Sequence, residues 1–211
     1  MSFPRPYYEE PAVTIFHGDC REIVPHFRKF DLLLTDPPYG IGRSGKPRST
    51  SSHGGHRGYA DLGWDNCPPE PWVLRMLLGS CADSVIWGAN YFASMPTGPG
   101  WILWDKGQRI DQADGELAAS TRNSPLRVKT INRAAIAQDG AVHPTQKPLG
   151  LFKWCISLFP DVKTILDPYA GSGTTGRAAK DLGKKAVLIE REERYCEIAA
   201  KRLAQEVFQF E

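Results

Sequence analysis

The sequence lacks the features that mark several large classes of protein. Its five cysteines are an odd number at wide spacing, with no Cys-x-x-Cys pair, so neither a disulfide framework nor a zinc site is predicted. No apolar stretch is long enough to span a membrane, and the first four residues begin no charged and then apolar signal. We therefore expect a cytoplasmic protein that holds no metal ion.

A strong excess of one charge is also lacking. The formal net charge is +2 and the isoelectric point is about 8.3, so any surface that attracts nucleic acid has to be local. Hydrophobic residues make up 41% of the 211, which predicts a sizeable core and one domain over residues 1–211. A basic Gly/Ser-rich segment at 41–63 is predicted to be a loop that contacts phosphate, with an insertion of no function as the alternative. Its basic side chains are Arg43, Lys46, Arg48 and Arg57.

Apolar runs that end in an acid recur along the chain. The acids are Asp19, Asp36, Asp167 and Glu190. Near-continuous apolar strands separated by helical patterns indicate a doubly wound, mostly parallel α/β sheet. Because ligands bind at the carboxyl ends of the strands in such sheets, we expect the four carboxylates to share one cleft.

The remaining patterns predict further strands and helices. Strands are expected at 84–87, 101–104, 116–120 and 127–131, the last as an antiparallel edge beside 116–120. Helices are expected at 70–79, 148–159, 174–182 and 191–208. The last of these carries a single apolar stripe with a period of four residues, which indicates one buried face.

A rigid tetrapeptide, Asp36-Pro37-Pro38-Tyr39, follows one of the apolar runs. Its carboxylate and peptide carbonyls accept hydrogen bonds, its ring offers a flat surface for stacking, and the prolines remove backbone donors and fix φ. This combination suits a planar ring that carries an exocyclic amine, such as adenine or cytosine. A turn that simply closes the strand is the alternative.

A glycine-rich turn follows the strand that ends at Asp167. Residues 171–176 read Gly-Ser-Gly-Thr-Thr-Gly, and Glu190 follows near the spacing at which an acid binds ribose hydroxyls. Four residues separate the strand from the first glycine, which disfavours a nicotinamide dinucleotide. Arg177-Ala178 stands where a phosphate loop has Lys and Ser or Thr, which disfavours a nucleoside triphosphate. A cofactor with a ribose, an adenine and a charged amino acid fits better, with Asp167 at its ammonium group.

Together these motifs resemble those of the DNA amino-methyltransferases that use S-adenosylmethionine, in the permuted group whose catalytic motif precedes the cofactor motif. The resemblance covers about residue 12 to about residue 204 and rests on residues 18–20, 36–39, 143–148 and 167–175. It implies a Rossmann-like class I methyltransferase fold, with a seven-stranded, mostly parallel sheet and circularly permuted motif order. No separate target-recognition domain is evident, so target recognition is expected from the loops at 41–63 and 105–140.

The resemblance also implies a role for each motif residue. Asp36 and the carbonyl of Pro37 accept hydrogen bonds from the target amine. Pro38 belongs to the same motif, and Tyr39 stacks on the extruded base. Glu190 binds the ribose of S-adenosylmethionine. The full cofactor-binding set is Asp19, Cys20, His143, Thr145, Lys147, Asp167, Tyr169, Ala170, Gly171, Gly173, Thr174, Thr175, Glu190 and Arg191.

The acid at position 36 bears on which base is methylated. Cytosine-N4 enzymes often have Ser there, so Asp36 favours adenine N6. We expect a site-specific adenine-N6 methyltransferase of double-stranded DNA, of the restriction–modification kind, for which a homodimer is possible. Cytosine-N4 methylation is one alternative, and a catalytically idle DNA-binding module with the same fold is the other.

Overall fold

The computed structural model describes residues 3–42, 65–92, 100–108, 113–122, 125–132 and 146–205, and the statements on structure below concern these ranges. One mixed sheet runs through them. Its strands are β1 (Tyr8–Glu9), β2 (Val13–His17), β3 (Phe30–Thr35), β4 (Cys81–Trp87), β5 (Gly100–Asp105), β6 (Gly115–Ser120), β7 (Arg127–Thr130), β8 (Thr164–Asp167) and β9 (Lys185–Glu190).

Helices cover both faces of the sheet. They are α1 (Cys20–Ile23), α2 (Pro71–Gly79), α3 (Leu149–Ser157), α4 (Thr174–Asp181) and α5 (Glu193–Ala204), with short 3₁₀ turns at Val24–His26 and Ala89–Tyr91. The four helices expected from periodicity are α2 to α5, apart from residues 206–208, which lie outside the described ranges. No helix in these ranges is long and apolar enough to cross a bilayer.

The strands lie in the order β1-β2-β9-β8-β3-β4-β6-β5-β7. The expected doubly wound sheet is confirmed: from β2 to β5 it has seven strands, and within them only β6 runs antiparallel to its neighbours. One short strand extends each edge, since β1 pairs antiparallel with β2 and β7 pairs parallel with β5.

The position of β7 corrects one expectation. The segment 127–131 was expected to pair antiparallel with 116–120, but Val128 aligns with Leu103 of β5, in parallel. The reason is that both edges of β6 are already occupied: Ala118 aligns with Trp87 of β4 on one side and with Ile102 of β5 on the other. The next strand can therefore add only at the outer edge of β5.

The two faces of the sheet bury separate apolar layers. Because side chains alternate along a strand, Leu32 and Leu34 of β3 point into the layer that α3, α4 and α5 cover. Leu33 points into the opposite layer, which α2 covers. The chain therefore leaves β3 toward one face and its neighbour β8 toward the other. Such a divergence marks the carboxyl ends of these two strands as the usual ligand site of doubly wound sheets.

Candidate active site

The four acids that follow apolar runs lie along one edge of the sheet. Asp167 ends β8, Glu190 ends β9, Asp36 follows β3 directly, and Asp19 lies just beyond β2. These strands are consecutive in the sheet. The structure thus brings the catalytic motif and the glycine-rich turn to neighbouring strand ends.

A buried hydrogen bond joins the ends of β3 and β8. The hydroxyl of Thr35 donates to Oδ1 of Asp167 at 2.7 Å, and Oδ1 also accepts the backbone N–H of Tyr169 at 3.1 Å. The hydroxyl of Thr175, in the first turn of α4, donates to Oδ2. Burial raises the pKa of Asp167 to about 6, although all three donors oppose that shift. Asp167 therefore ties β3, the turn and α4 together.

The catalytic motif is held by an acid that sequence reasoning missed. Oδ1 of Asp65 accepts the backbone N–H groups of Tyr39 at 2.7 Å and of Gly40 at 3.0 Å. Pro37 and Pro38 have no N–H to offer, so these two are the first donors after Asp36. Asp65 is buried, but it lies 26 residues after Tyr39, and no local pattern connects the two positions.

The ring of Tyr39 lies against the turn that follows β4. Gly88 has φ +70°, and a Cβ there would lie 2.0 Å from Cε1 of Tyr39, so only glycine permits this approach. The ring of Tyr91 stacks on Tyr39 with centroids 5.1 Å apart and planes 15° apart, and Phe92 meets it edge-on at 6.4 Å. Tyr91 remains half exposed, so this aromatic platform reaches the surface.

Both carboxylate oxygens of Asp36 accept hydrogen bonds. The hydroxyl of Tyr39 donates to Oδ1 at 2.6 Å, and the ammonium of Lys147 donates to Oδ2 at 2.5 Å. Burial raises the pKa of Asp36, against the lowering effect of the Lys147 charge. Burial also raises the pKa of Tyr39 well above its usual value, so this hydroxyl keeps its proton. Lys147, expected at the cofactor pocket, contacts the carboxylate of Asp36 instead.

A second acid, Glu116 of β6, also contacts Lys147, and the sequence analysis assigned it no role. Its Oε2 lies 3.0 Å from Nζ of Lys147, and its Oε1 lies 2.5 Å from Nζ of Lys106. Burial alone would raise the pKa of Glu116, but the two ammonium groups lower it to about 2. In Lys147 the two carboxylates outweigh burial and raise the pKa of the ammonium. The site thus contains a row of alternating charges, formed by Asp36, Lys147, Glu116 and Lys106.

The residue before Lys147 reaches the other motif. Oε1 of Gln146 accepts the hydroxyl of Ser172 in the glycine-rich turn at 3.0 Å. Arg202 of α5 donates to the backbone oxygen of Ser172 at 2.7 Å and lies 3.4 Å from the hydroxyl of Thr174. Two consecutive side chains, Gln146 and Lys147, therefore connect the glycine-rich turn with the catalytic motif.

The glycines of the turn are required for different reasons, namely the backbone conformation and the space beside it. Gly171 and Gly173 have φ of +51° and +78°, a region that side chains with a Cβ disfavour. At Gly173 a Cβ would also lie 2.9 Å from that of Ala199 in α5, and at Gly176 it would lie 2.7 Å from Leu188 of β9. The first two glycines thus allow the turn, and the third allows close helix–strand contact.

The Glu190 carboxylate lies beside this turn. Its Oε2 accepts the N–H of Gly171 at 2.8 Å and its Oε1 accepts the N–H of Glu192 at 2.9 Å. Burial raises the pKa of Glu190, against the effect of these hydrogen bonds. A carboxylate has about four acceptor positions, so two internal donors leave capacity for the hydroxyls of a ligand.

The remaining cofactor-set residues take varied positions. Asp19 caps α1 by accepting the N–H of Arg21 at 2.9 Å, and its carboxylate pairs with the Arg21 guanidinium at 2.5 Å. Cys20 is buried, Tyr169 is partly buried and Arg191 is exposed. Ala170, Thr174 and Thr175 are buried in the turn and at the start of α4. His143, Thr145, Arg43, Lys46, Arg48 and Arg57 lie outside the described residues.

A separate groove of about 500 Å³ lies at the other end of the strands from the four acids. Thr164 and Lys185, which begin β8 and β9, line it together with Glu10. It lies at the amino ends of the strands, away from the four acids at the carboxyl ends. The candidate active site is therefore the acidic edge and not this groove.

The fold is Rossmann-like and is similar to the folds of solved DNA methyltransferases. The structure is similar to that of the M1.HpyAVI–SAM complex, with a TM-score of 0.61 and 22% identity over 92% of this chain and 100% of that one. It is also similar to the PvuII DNA methyltransferase (cytosine-N4-specific), with a TM-score of 0.61 and 14% identity over 98% of this chain and 91% of that one.

The sequence identifies the family. Residues 80–201 match the profile of N6_N4_Mtase, DNA methylase. The chain is 48% identical to the type II methyltransferase M2.DpnII of Streptococcus pneumoniae, over 96% of this chain and 93% of that protein. The chain therefore belongs to the N6/N4 DNA methylase family, whose methyl donor is S-adenosylmethionine.

Proposed function

We propose that this protein transfers a methyl group from S-adenosylmethionine to N6 of adenine at specific sites in double-stranded DNA, in the cytoplasm and as part of a restriction–modification system. The observation that carries the proposal is the junction between the two motifs. Thr35, directly before Asp36, donates to Asp167, which ends the strand that leads to the glycine-rich turn, at 2.7 Å. A base held at Asp36 and a cofactor held by the turn can therefore share one cavity.

The charges at this edge suit the cofactor. S-adenosylmethionine carries a sulfonium and an ammonium and no phosphate, and the edge presents Asp19, Asp36, Asp167 and Glu190. Glu190, with acceptor capacity to spare, would hold the ribose, while Asp167 would act on the ammonium through the turn that it organises. A phosphorylated dinucleotide would meet repulsion from the same carboxylates. When bound, the cofactor supplies an electrophilic methyl carbon.

Residues of this chain prepare the amine for that carbon. The lone pair of an aromatic amine is delocalised into its ring, so the amine is a poor nucleophile. Asp36 and the Pro37 carbonyl would accept its two N–H hydrogens and favour a tetrahedral nitrogen, while Tyr39 holds the extruded base by stacking, which is worth about 1–3 kcal/mol. The amine gives up a proton when it is methylated, and Asp36, whose pKa is raised by burial, would be positioned to accept that proton.

The described residues also support a proposal on DNA binding. The half-exposed Tyr91 extends the Tyr39 platform to the surface, which suits an extruded base approaching from there. We assign the phosphate contacts to the loop at 41–63, and we assign methyltransferase and target recognition to one domain over residues 1–211. A homodimer stays part of the same proposal.

The test is to express the chain in a host without DNA methylation, digest the DNA to nucleosides and identify them by mass. N6-methyldeoxyadenosine is the expected product, and N4-methyldeoxycytidine would instead assign the cytosine reaction. Asp36→Ala should abolish the product while S-adenosylmethionine still binds. If no methylated nucleoside forms although the purified protein binds DNA, the chain is an idle binding module.

A further inference from the structure

Each carboxylate oxygen of Asp36 already accepts a hydrogen bond in this structure. Tyr39 donates to Oδ1 at 2.6 Å and Lys147 to Oδ2 at 2.5 Å. A base amine that approaches Asp36 along the direction of either donor must replace that donor. The two differ in how easily they can move.

Tyr39 is the less movable donor. Its ring rests on Gly88 and stacks on Tyr91, and its backbone N–H is bound to Asp65. A displacement of its phenol oxygen requires the ring to move and would break the aromatic contacts. The ammonium of Lys147 stands on a flexible four-carbon stem, so a shift of its position requires only changes of side-chain torsion angles.

Lys147 also has a second carboxylate within reach. Oε2 of Glu116 lies 3.0 Å from its Nζ, against 2.5 Å for Oδ2 of Asp36. The hydroxyl oxygen of Tyr39 lies 3.2 Å from the same nitrogen. Lys106 holds the other oxygen of Glu116 at 2.5 Å, which fixes that carboxylate in place. The ammonium can thus leave Asp36 and stay paired.

We propose that the Lys147 ammonium occupies on Asp36 the position that the target amine takes during the reaction, and that Glu116 retains the ammonium when the amine replaces it. The inference rests on the proposed function. Both groups are N–H donors, so the exchange preserves one hydrogen bond on Oδ2. It also avoids leaving a buried cation unpaired, which is strongly unfavourable. Glu116 is thus a positioning residue and does not itself touch the base.

A double-mutant cycle tests this exchange. The four proteins are the wild type, Glu116→Gln, Lys147→Met and the double variant, each assayed for kcat/KM on DNA that carries the mapped target. Without Glu116 the ammonium keeps Asp36 as its one carboxylate partner among the described residues and competes with the amine, so Glu116→Gln should lower kcat/KM at least tenfold. In the Lys147→Met background the same change should cost less than threefold. Equal effects in the two backgrounds would overturn the proposal.

An equilibrium measurement decides the matter even if Lys147→Met is inactive. Affinity is compared for two duplexes, one with the normal target base and one whose target base lacks its exocyclic amine. Wild type and Lys147→Met should prefer the aminated duplex, and Glu116→Gln should lose most of that preference. A preference retained in full by Glu116→Gln contradicts the exchange.

Two controls separate this mechanism from a general loss of structure. Glu116→Asp keeps a carboxylate and should restore much of the amine preference, and the thermal midpoints of all variants show whether they fold. The proposed function fails separately, because in that case the wild type itself yields no methylated nucleoside.

Discussion

The buried carboxylate of Asp167 gives the protein a pH dependence that one substitution should remove. Burial raises its pKa from 3.8 to about 6, so folding favours the protonated form. The contribution of this group to stability is complete below pH 3.8 and is lost as the pH rises through 6. A difference of about 2.2 pKa units corresponds to roughly 3 kcal/mol, and nearly half of it, about 1.4 kcal/mol, falls between pH 5 and pH 8.

The perturbation is Asp167→Asn, which has nearly the same shape but does not ionise. The free energy of unfolding is measured by urea denaturation at pH 5, 6, 7 and 8 for wild type and variant. The difference between the two should shift in favour of the variant by about 1.4 kcal/mol from pH 5 to pH 8, whatever its absolute value. Other titrating groups cancel because they are common to both proteins.

Asp31→Asn is the matched control. The Asp31 carboxylate accepts the N–H of Lys163 at 2.9 Å and the N–H of Thr164 at 2.8 Å, and these bonds lower its pKa despite partial burial. Its stabilising effect is lost only as the pH falls below 3.8, so the Asp31→Asn difference should stay constant between pH 5 and pH 8. A constant difference for Asp167→Asn as well would refute the reasoning that burial governs the ionisation of Asp167.

Three further predictions concern the supports of the site. Gly88→Ala should destabilise the fold by about 1–2 kcal/mol because the residue has a positive φ, and it should lower the methylation rate by displacing Tyr39. The control Gly79→Ala, where a Cβ meets nothing within 4 Å, should do neither. Equal melting temperatures and equal rates for the two variants would contradict this prediction. Thr175→Val should lower the free energy of unfolding at pH 7.5 by about 1.5–3 kcal/mol by removing a donor to the buried Asp167, and Thr175→Ser should not; urea curves decide. Tyr39→Ala should reduce the rate of methylation more than the affinity for S-adenosylmethionine, and an unchanged rate on duplex DNA would argue against base stacking.

The sequence predicted which residues lie at the carboxyl ends of the strands, but it predicted fewer of the contacts between those residues and other segments. The buried strands β3, β8 and β9 are visible in the sequence as apolar runs, and the acid at the end of each run marks the carboxyl end of the strand. Asp36, Asp167 and Glu190 could therefore be placed on one edge of the sheet without coordinates. The glycine-rich turn was also evident from the sequence, because backbone positions that need a positive φ are usually occupied by glycine. The edge strand β7 was paired wrongly, since a short, exposed strand carries no apolar pattern that specifies its partner.

The contacts that hold the catalytic motif could not be found in this way. Lys147 and Asp36 lie 111 positions apart, and Asp65 and Glu116 occupy a loop and a half-buried strand whose local patterns predict nothing about a site. Lys106 lies in the segment 105–140, which is expected to be a loop for target recognition, yet it is buried against Glu116. Such pairings depend on which strands become neighbours, and that is settled only when the whole sheet forms.

The order of the motifs along the chain matters little for the same reason. Thr35 and Asp167 are 132 positions apart, and the catalytic motif comes first in sequence, but β3 and β8 are neighbours in the sheet and their ends meet. What the site requires is that adjacent parallel strands send the chain to opposite faces, so that a crevice opens between an acid and a glycine-rich turn. Lys147 and Gln146, which precede α3 and enter that crevice from a third segment, then bring a cation to Asp36 and an amide to Ser172. Since a single pair of neighbouring residues contacts both motifs, a change in the backbone path of this segment would act on both motifs at once.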